Sequence, residues 1–172
     1  FFASVNGDRL YGADDIAKFI SGLIGSGIIA DPSNASLGER LQVVPGNGLS
    51  VVLKPGVAYI KGKWYENDAD LTIPLATANA TNPRIDRIVT RLDVANRKIT
   101  SIKRTGTPAA SPAALENLQG TSYYDLCEAT VYVAAGATTI TGADITDMRA
   151  DETVCGKVKE LVRQNMQLTL DD

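Results

Sequence analysis

The stretch LSVVLKPGVAYIKGKWYE, residues 49–66, decides the fold class. Its apolar and polar residues follow the two-residue period of β-strands that bury one face. Turns at 54–56 and 61–63 separate its segments, because proline and glycine there favour a reversal of the chain. Short strands divided by glycine turns predict antiparallel pairing between neighbours.

The same pattern extends over most of the chain and predicts a mainly β protein, an antiparallel β-sandwich or a related barrel. The expected strands are 41–44, 49–53, 57–60, 64–66, 70–75, 84–93, 98–103 and 126–133. The segment 105–112 is rich in proline and small residues and is expected to be a surface loop.

Helical spacing is found near the two ends. Residues 13–24 predict a short amphipathic helix whose apolar stripe is expected to face the core; the stripe is Ile16, Phe19, Ile20, Leu23 and Ile24. A second series is spaced 4, 3, 4, 3, as in a coiled-coil seam; it is Val154, Val158, Leu161, Asn165 and Leu168. This C-terminal helix either packs on its own domain or starts an oligomeric stalk. The expected units are therefore an arm with a helix (1–38), a β-rich domain (39–150) and a helix or stalk start (151–172).

Composition excludes several classes of function. The 172 residues carry a net charge of −3 and contain no histidine. A nucleic-acid partner would need a basic face, and histidine is the commonest general base and metal ligand. No run reaches the roughly 18 apolar residues needed to span a bilayer. Cys127 and Cys155 are interpreted as small buried residues, although a disulfide between them remains open.

The search for chemistry finds no phosphate loop, dinucleotide fingerprint or nucleophile elbow. Carboxylates cluster at Asp14–Asp15, at Glu66, Asp68 and Asp70, and at Asp144 and Asp147. Acids in turns are normally solvated, and the cluster around Asp68 lacks the central glycine of a calcium loop. We therefore expect no enzyme, no cofactor and no metal. A polysaccharide depolymerase using Glu66 or Asp68 is the weakest hypothesis.

Three aromatic residues, Tyr59, Trp64 and Tyr65, flank the turn at 61–63. An exposed aromatic ring stacks well on a sugar, so they are candidate sugar contacts, although core packing is the favoured interpretation. A cell-wall carbohydrate-binding module used in host recognition is the alternative function.

Four ordered blocks carry a resemblance to a known family. The chain opens with FFASVNGDRLY (1–11), and PGVAYIKGKWYEN (55–67) matches P-G-x-A-x-I-x-G-x-x-Y-E-N. RIDRIVTRLD (84–93) follows, and the last block is VYV (131–133), GATTI (136–140) and ITDMR (145–149). The chain resembles the N-terminal domain of baseplate upper or tail-fibre proteins from phages and prophages of Gram-positive bacteria, in the siphophage group.

The resemblance implies a structural virion protein without catalysis, assembled in the host bacterial cytoplasm. It implies a baseplate or tail-tip adaptor that docks on a tail-hub protein and carries a receptor-binding protein. We expect a homo-oligomer, with a trimer favoured, and neither a nucleic-acid nor a membrane partner.

Overall fold

The computed structural model describes residues 5–7, 10–33, 35–113 and 119–161. An α-helix, α1 (Ala13–Leu23), precedes ten strands. The strands are β1 (Gly27–Ile28), β2 (Val43–Pro45), β3 (Ser50–Leu53), β4 (Gly56–Ile60), β5 (Lys63–Asn67), β6 (Leu71–Pro74), β7 (Arg84–Asp93), β8 (Lys98–Arg104), β9 (Tyr123–Val133) and β10 (Ile145–Asp147). The predicted class is confirmed: the described chain is mainly antiparallel β with a short N-terminal helix.

The strands form three antiparallel sheets. The largest has the order β10-β9-β7-β8, and two smaller sheets have the orders β1-β4-β5 and β2-β3-β6. β4 and β5 form the hairpin predicted around residues 61–63, with Tyr59 opposite Trp64 and Ile60 opposite Lys63. β7 begins and ends at the predicted residues, whereas the short strands β1 and β10 were not predicted.

One hydrophobic core joins the three sheets. It contains Ile28 of β1, Leu53 of β3, Ile60 of β4, Ile88 of β7 and Val131 of β9, all with no exposed surface. A second, smaller cluster of Val89 and Cys127 lies apart from this core. Alternate residues of β4 illustrate why the period of two predicted the strands, since Ala58 and Ile60 are buried while Val57 and Tyr59 are half-exposed.

Among the described residues, no helix is both long and apolar enough to cross a bilayer.

Candidate functional site

Helix α1 is held on the turn between β4 and β5. Lys61 and Gly62 both have positive φ, and a side chain at Gly62 would collide with the backbone of Ala17. Lys63 Nζ lies 3.0 Å from Asp14 Oδ1, and this contact lowers the pKa of Asp14. The glycine at position 62 therefore permits the close approach of helix and hairpin.

The apolar stripe of α1 does not face the core, so that prediction was wrong. Ala17 is the buried residue of the helix, whereas Ile16 is 51% and Leu23 is 40% exposed. Ile20 and Ile24 are half-buried. The physical reason is that α1 touches the domain through Ala17 at a hairpin turn, so Ile16, Phe19 and Leu23 remain largely exposed.

The C-terminal segment of the described chain returns to the end of α1. Its backbone bonds are Gly25 N to Lys159 O at 2.9 Å, Ile28 N to Gly156 O at 2.9 Å and Val158 N to Ile28 O at 3.0 Å. Glu160 also forms an antiparallel bridge with Ile24. Consequently, the chain reaches Leu161 beside the C-terminal end of α1.

The predicted C-terminal helix is wrong for residues 151–160, which form turns and extended backbone. Val154 lies in a turn, where its amide and that of Cys155 both donate to Asp151 O. Cys127 N donates to Val154 O at 2.9 Å and fixes this turn to β9. Val158 is in non-helical backbone that pairs with Ile28. The remaining seam residues, Asn165 and Leu168, lie outside the described residues.

The three candidate sugar contacts occupy two sides of the β4–β5 hairpin. Tyr59 and Trp64 are cross-strand partners on the outward side, and Trp64 is 52% exposed. Tyr65 points inward, where its hydroxyl lies 2.7 Å from Ser101 Oγ. Core packing was the favoured prediction for these aromatics; it holds for Tyr65 and is wrong for Trp64. Because side chains alternate along a strand, Trp64 and Tyr65 take opposite faces. We call the outward set of Tyr59, Trp64 and Glu66 the hairpin face.

The charged residues of the RIDRIVTRLD block hold the fold. Arg84 and Asp86 are buried and form a two-point ion pair, with Nε–Oδ1 at 2.9 Å and Nη2–Oδ2 at 3.2 Å. Arg84 also donates to the carbonyl oxygens of Ala76 and Thr77, and Asp86 accepts from Gly106 N at 2.8 Å. The pair therefore joins β7 to the segments before it and after β8.

A second pair crosses from β7 to β9. Arg91 donates to the fully buried carboxylate of Asp125 through Nε at 2.7 Å and Nη2 at 2.8 Å. Its guanidinium also lies 4.2 Å from the ring centroid of Tyr123, and Arg104 supplies a further contact to Asp125 at 3.4 Å. These contacts raise the pKa of Arg91.

The arginine of the ITDMR block, Arg149, also joins separate segments of the chain. Arg149 is buried, pairs with Asp147 through Nε and Nη2, and donates from Nη1 to the carbonyl oxygens of Gly38 at 3.0 Å and Arg40 at 2.7 Å. Arg149 thus ties the end of β10 to the loop before β2. The hydrogen bonds from Arg149 lower the pKa of Asp147 against the effect of its burial.

Sequence reasoning missed a buried carboxyl group at Glu128. Ile88 pairs with Ala129 and Val89 with Cys127, so Glu128 is the extra residue of a β-bulge in β9. Burial raises its pKa to about 8. No pattern in the sequence distinguishes a bulge from regular strand.

The two cysteines are buried free thiols, Cys127 on β9 and Cys155 in the turn that follows Asp151. Cys127 belongs to the small cluster with Val89, and Cys155 belongs to the main core. Burial raises the pKa of the Cys127 thiol to about 12 and raises that of Cys155 as well. Both thiols are therefore poor nucleophiles in this fold.

The carboxylates singled out in the sequence are spread over separate local contacts. Asp15 accepts from Gly12 N at the start of α1, and Asp70 pairs with Lys54. Glu66 accepts from Trp64, and Asp144 accepts from Thr141. Within the described ranges, no three acidic or cysteine side chains converge as metal ligands would.

Comparison with known proteins gives little. No family model matches the chain, and no curated protein sequence matches it. Among solved structures, it matches the crystal structure of the gene 22 product of the Bacillus subtilis SPP1 phage. The two are 12% identical, the TM-score is 0.35, and the match covers 68% of this chain and 77% of the other. A likeness of this degree carries no argument about fold or function.

Proposed function

We propose that the chain is a structural protein of a phage virion, a baseplate or tail-tip adaptor that anchors a receptor-binding fibre to the tail. The support for the phage class is the four ordered sequence blocks. Two of them, RIDRIVTRLD and ITDMR, supply arginines that form ion pairs with nearby aspartates. Further hydrogen bonds from Arg84 and Arg149 reach backbone carbonyl oxygens of other segments. Such contacts suit a rigid structural part, since they fix the relative position of separate chain segments.

The observation that carries the adaptor role is the position of α1 beside the segment that ends at Leu161. Ile16 and Leu23 present apolar surface to solvent, and the chain reaches Leu161 next to the end of the same helix. Isolated exposed apolar residues are common, but a row of them on one helix side is typical of an interface. The occupant we propose is a second copy of the chain. In such a contact, the exposed residues of α1 and the neighbouring segment that ends at Leu161 both lie between the copies. A homo-oligomer, preferably a trimer, is the resulting assembly.

The virion role is tested on phage particles purified from cultures of the bacterial host. We expect mass spectrometry of the particles to detect the chain, and the purified protein to bind the tail-hub protein of the same phage. Absence from particles, together with no affinity for the hub protein, would reject the adaptor role.

The contact between copies is tested by sedimentation of the full chain. We expect an oligomer whose dissociation is promoted by Leu23→Asp. The matched control is Val94→Asp, because Val94 is 55% exposed in the loop after β7 and lies outside α1. A wild-type chain that stays monomeric at all concentrations contradicts the proposal.

A further inference from the structure

The hairpin face has the size and composition of a small binding site. Tyr59 and Trp64 meet edge to face, with ring centroids 5.2 Å apart and an interplanar angle of 82°. Trp64 is the one exposed large apolar side chain on the fully described strands β4 and β5. Protein interfaces bury about 800 Å² on each partner, which is far more than one indole supplies.

The exposed ring is held in place before any ligand arrives. The Trp64 indole N–H donates to Glu66 Oε2 at 3.4 Å, a long hydrogen bond, and the Tyr59 ring abuts the indole from the neighbouring strand. The opposite side of the hairpin is fixed by the buried Ala58 and Ile60. A ring with its orientation set in advance loses little conformational entropy on binding.

The chemistry of the hairpin face fits a sugar. The flat apolar side of a pyranose covers about one indole face, and aromatic rings of this kind are amphipathic partners for such surfaces. The carboxylate of Glu66, next to that face, is a strong acceptor for hydroxyl groups. Tyr59 is half-exposed beside the indole and adds a second aromatic ring to this surface.

We propose that Tyr59, Trp64 and Glu66 form a binding site for one pyranose ring of a polysaccharide. Tyr65 has no part in it, because its hydroxyl is engaged with Ser101 on the inward side. This site goes beyond the adaptor role, since an adaptor needs no sugar contact of its own.

The chain offers an unusually direct test, because Trp64 is its single tryptophan. The ¹H–¹⁵N spectrum of the full chain therefore contains one indole signal, and that signal reports the proposed site. We expect it to shift and saturate during titration with a panel of glucose-, rhamnose-, galactose- and N-acetylglucosamine-based oligosaccharides. An indole signal that no panel member moves at millimolar concentration rejects the site.

Three variants separate stacking on the ring from general surface effects. Their affinity is measured by electrophoresis in gels that contain a polysaccharide built from the sugar that the titration identifies. We expect Trp64→Ala to weaken binding by about tenfold or more and Glu66→Gln by a smaller factor. Tyr132→Ala is the matched control and should bind normally, because Tyr132 is also exposed, at 42%, but lies on β9.

One result would assign the hairpin face to a protein partner instead. If Trp64→Ala keeps normal sugar binding but loses the tail-hub protein, the sugar site is rejected and the adaptor role stands. If Trp64→Ala loses the sugar while particles still assemble, the sugar site stands independently of the adaptor role.

Discussion

The backbone amide of Thr90 donates a hydrogen bond to the side-chain carboxylate of Glu128, with Thr90 N and Glu128 Oε1 3.2 Å apart. The other carboxylate oxygen is buried and has no hydrogen-bond donor among the described residues. Burial is the main cause that raises the pKa of Glu128, and Asp125 nearby adds to it. Tyr65, Cys127 and Cys155 are its other titratable neighbours, and Arg87 acts on Cys127. The folded state therefore favours the protonated form of Glu128.

The first prediction is a loss of stability toward alkaline pH. The pKa of Glu128 rises from its ordinary 4.5 to about 8 on folding, so the folded chain binds more protons than the unfolded chain between these values. The free energy of unfolding should therefore fall as pH rises through this window. Urea unfolding measured at several pH values provides the test.

Replacement of the carboxyl group gives the matched comparison. Glu128→Gln should be more stable than wild type near pH 8, and its stability should depend less on pH. Glu39→Gln, at an exposed position, should retain the wild-type pH profile. If Glu128→Gln kept the wild-type dependence of stability on pH, the raised pKa could not be assigned to Glu128.

The second prediction concerns the ion pair between Arg91 and Asp125. Arg91→Leu should destabilise the fold by about 3 kcal/mol, because it leaves the buried carboxylate of Asp125 with only the longer contact from Arg104. Lys54→Leu breaks the more exposed pair with Asp70 and should cost much less than Arg91→Leu. Thermal unfolding distinguishes the two, and equal costs would show that burial of Asp125 does not matter.

The third prediction concerns Arg149. The planar guanidinium of Arg149 donates to the carboxylate of Asp147 and to the carbonyl oxygens of Gly38 and Arg40. The single ammonium group of a lysine cannot reach all three partners at once. Arg149→Lys should therefore cost about 2 kcal/mol and accelerate amide exchange in residues 40–42. Arg97→Lys, on an exposed turn, should change neither quantity.

The fourth prediction separates two effects of an alanine at Gly62, namely backbone strain and a steric clash with α1. Gly62 and Gly136 have similar positive φ values, 74° and 66°. An alanine at either position costs about 1 kcal/mol of backbone strain. At Gly62 alone, the new methyl group meets the backbone of Ala17, whereas nothing lies near Gly136. Gly62→Ala should thus displace α1 and reduce oligomerisation, while Gly136→Ala should leave both unchanged, as seen by sedimentation and by amide exchange within α1.

Strands such as β4 and β7 were predictable because they bury roughly alternate residues against a shared core. β7 illustrates this: its burial repeats nearly every second residue from Arg84 onward, and its predicted limits are correct. The burial of Arg84 and Asp86 on the same strand was not predictable, since charge alone does not indicate whether an ion pair lies at the surface or inside.

The errors have a common physical cause. Spacing indicates which residues share a side of a helix but does not identify the partner of that side, and so Leu23 was expected inside. At Val154 and Val158 the same spacing arises in a turn and in extended backbone fixed by Cys127 and Ile28. For the aromatic residues of the β4–β5 hairpin, core packing was favoured, but the two-residue period does not identify which side of a strand faces solvent, and Trp64 lies on the exposed side.

The return of the C-terminal segment to the end of α1 also sets how the domain responds to tension. A pull on the chain beyond Leu161 first reaches the short backbone ladder between residues 24–28 and 156–160. The ladder contains few hydrogen bonds, whereas β7 and β9 pair over ten positions deeper in the domain. Under load, the ladder should therefore open before the central sheet, and the chain should lengthen by several residues while the β-core stays intact.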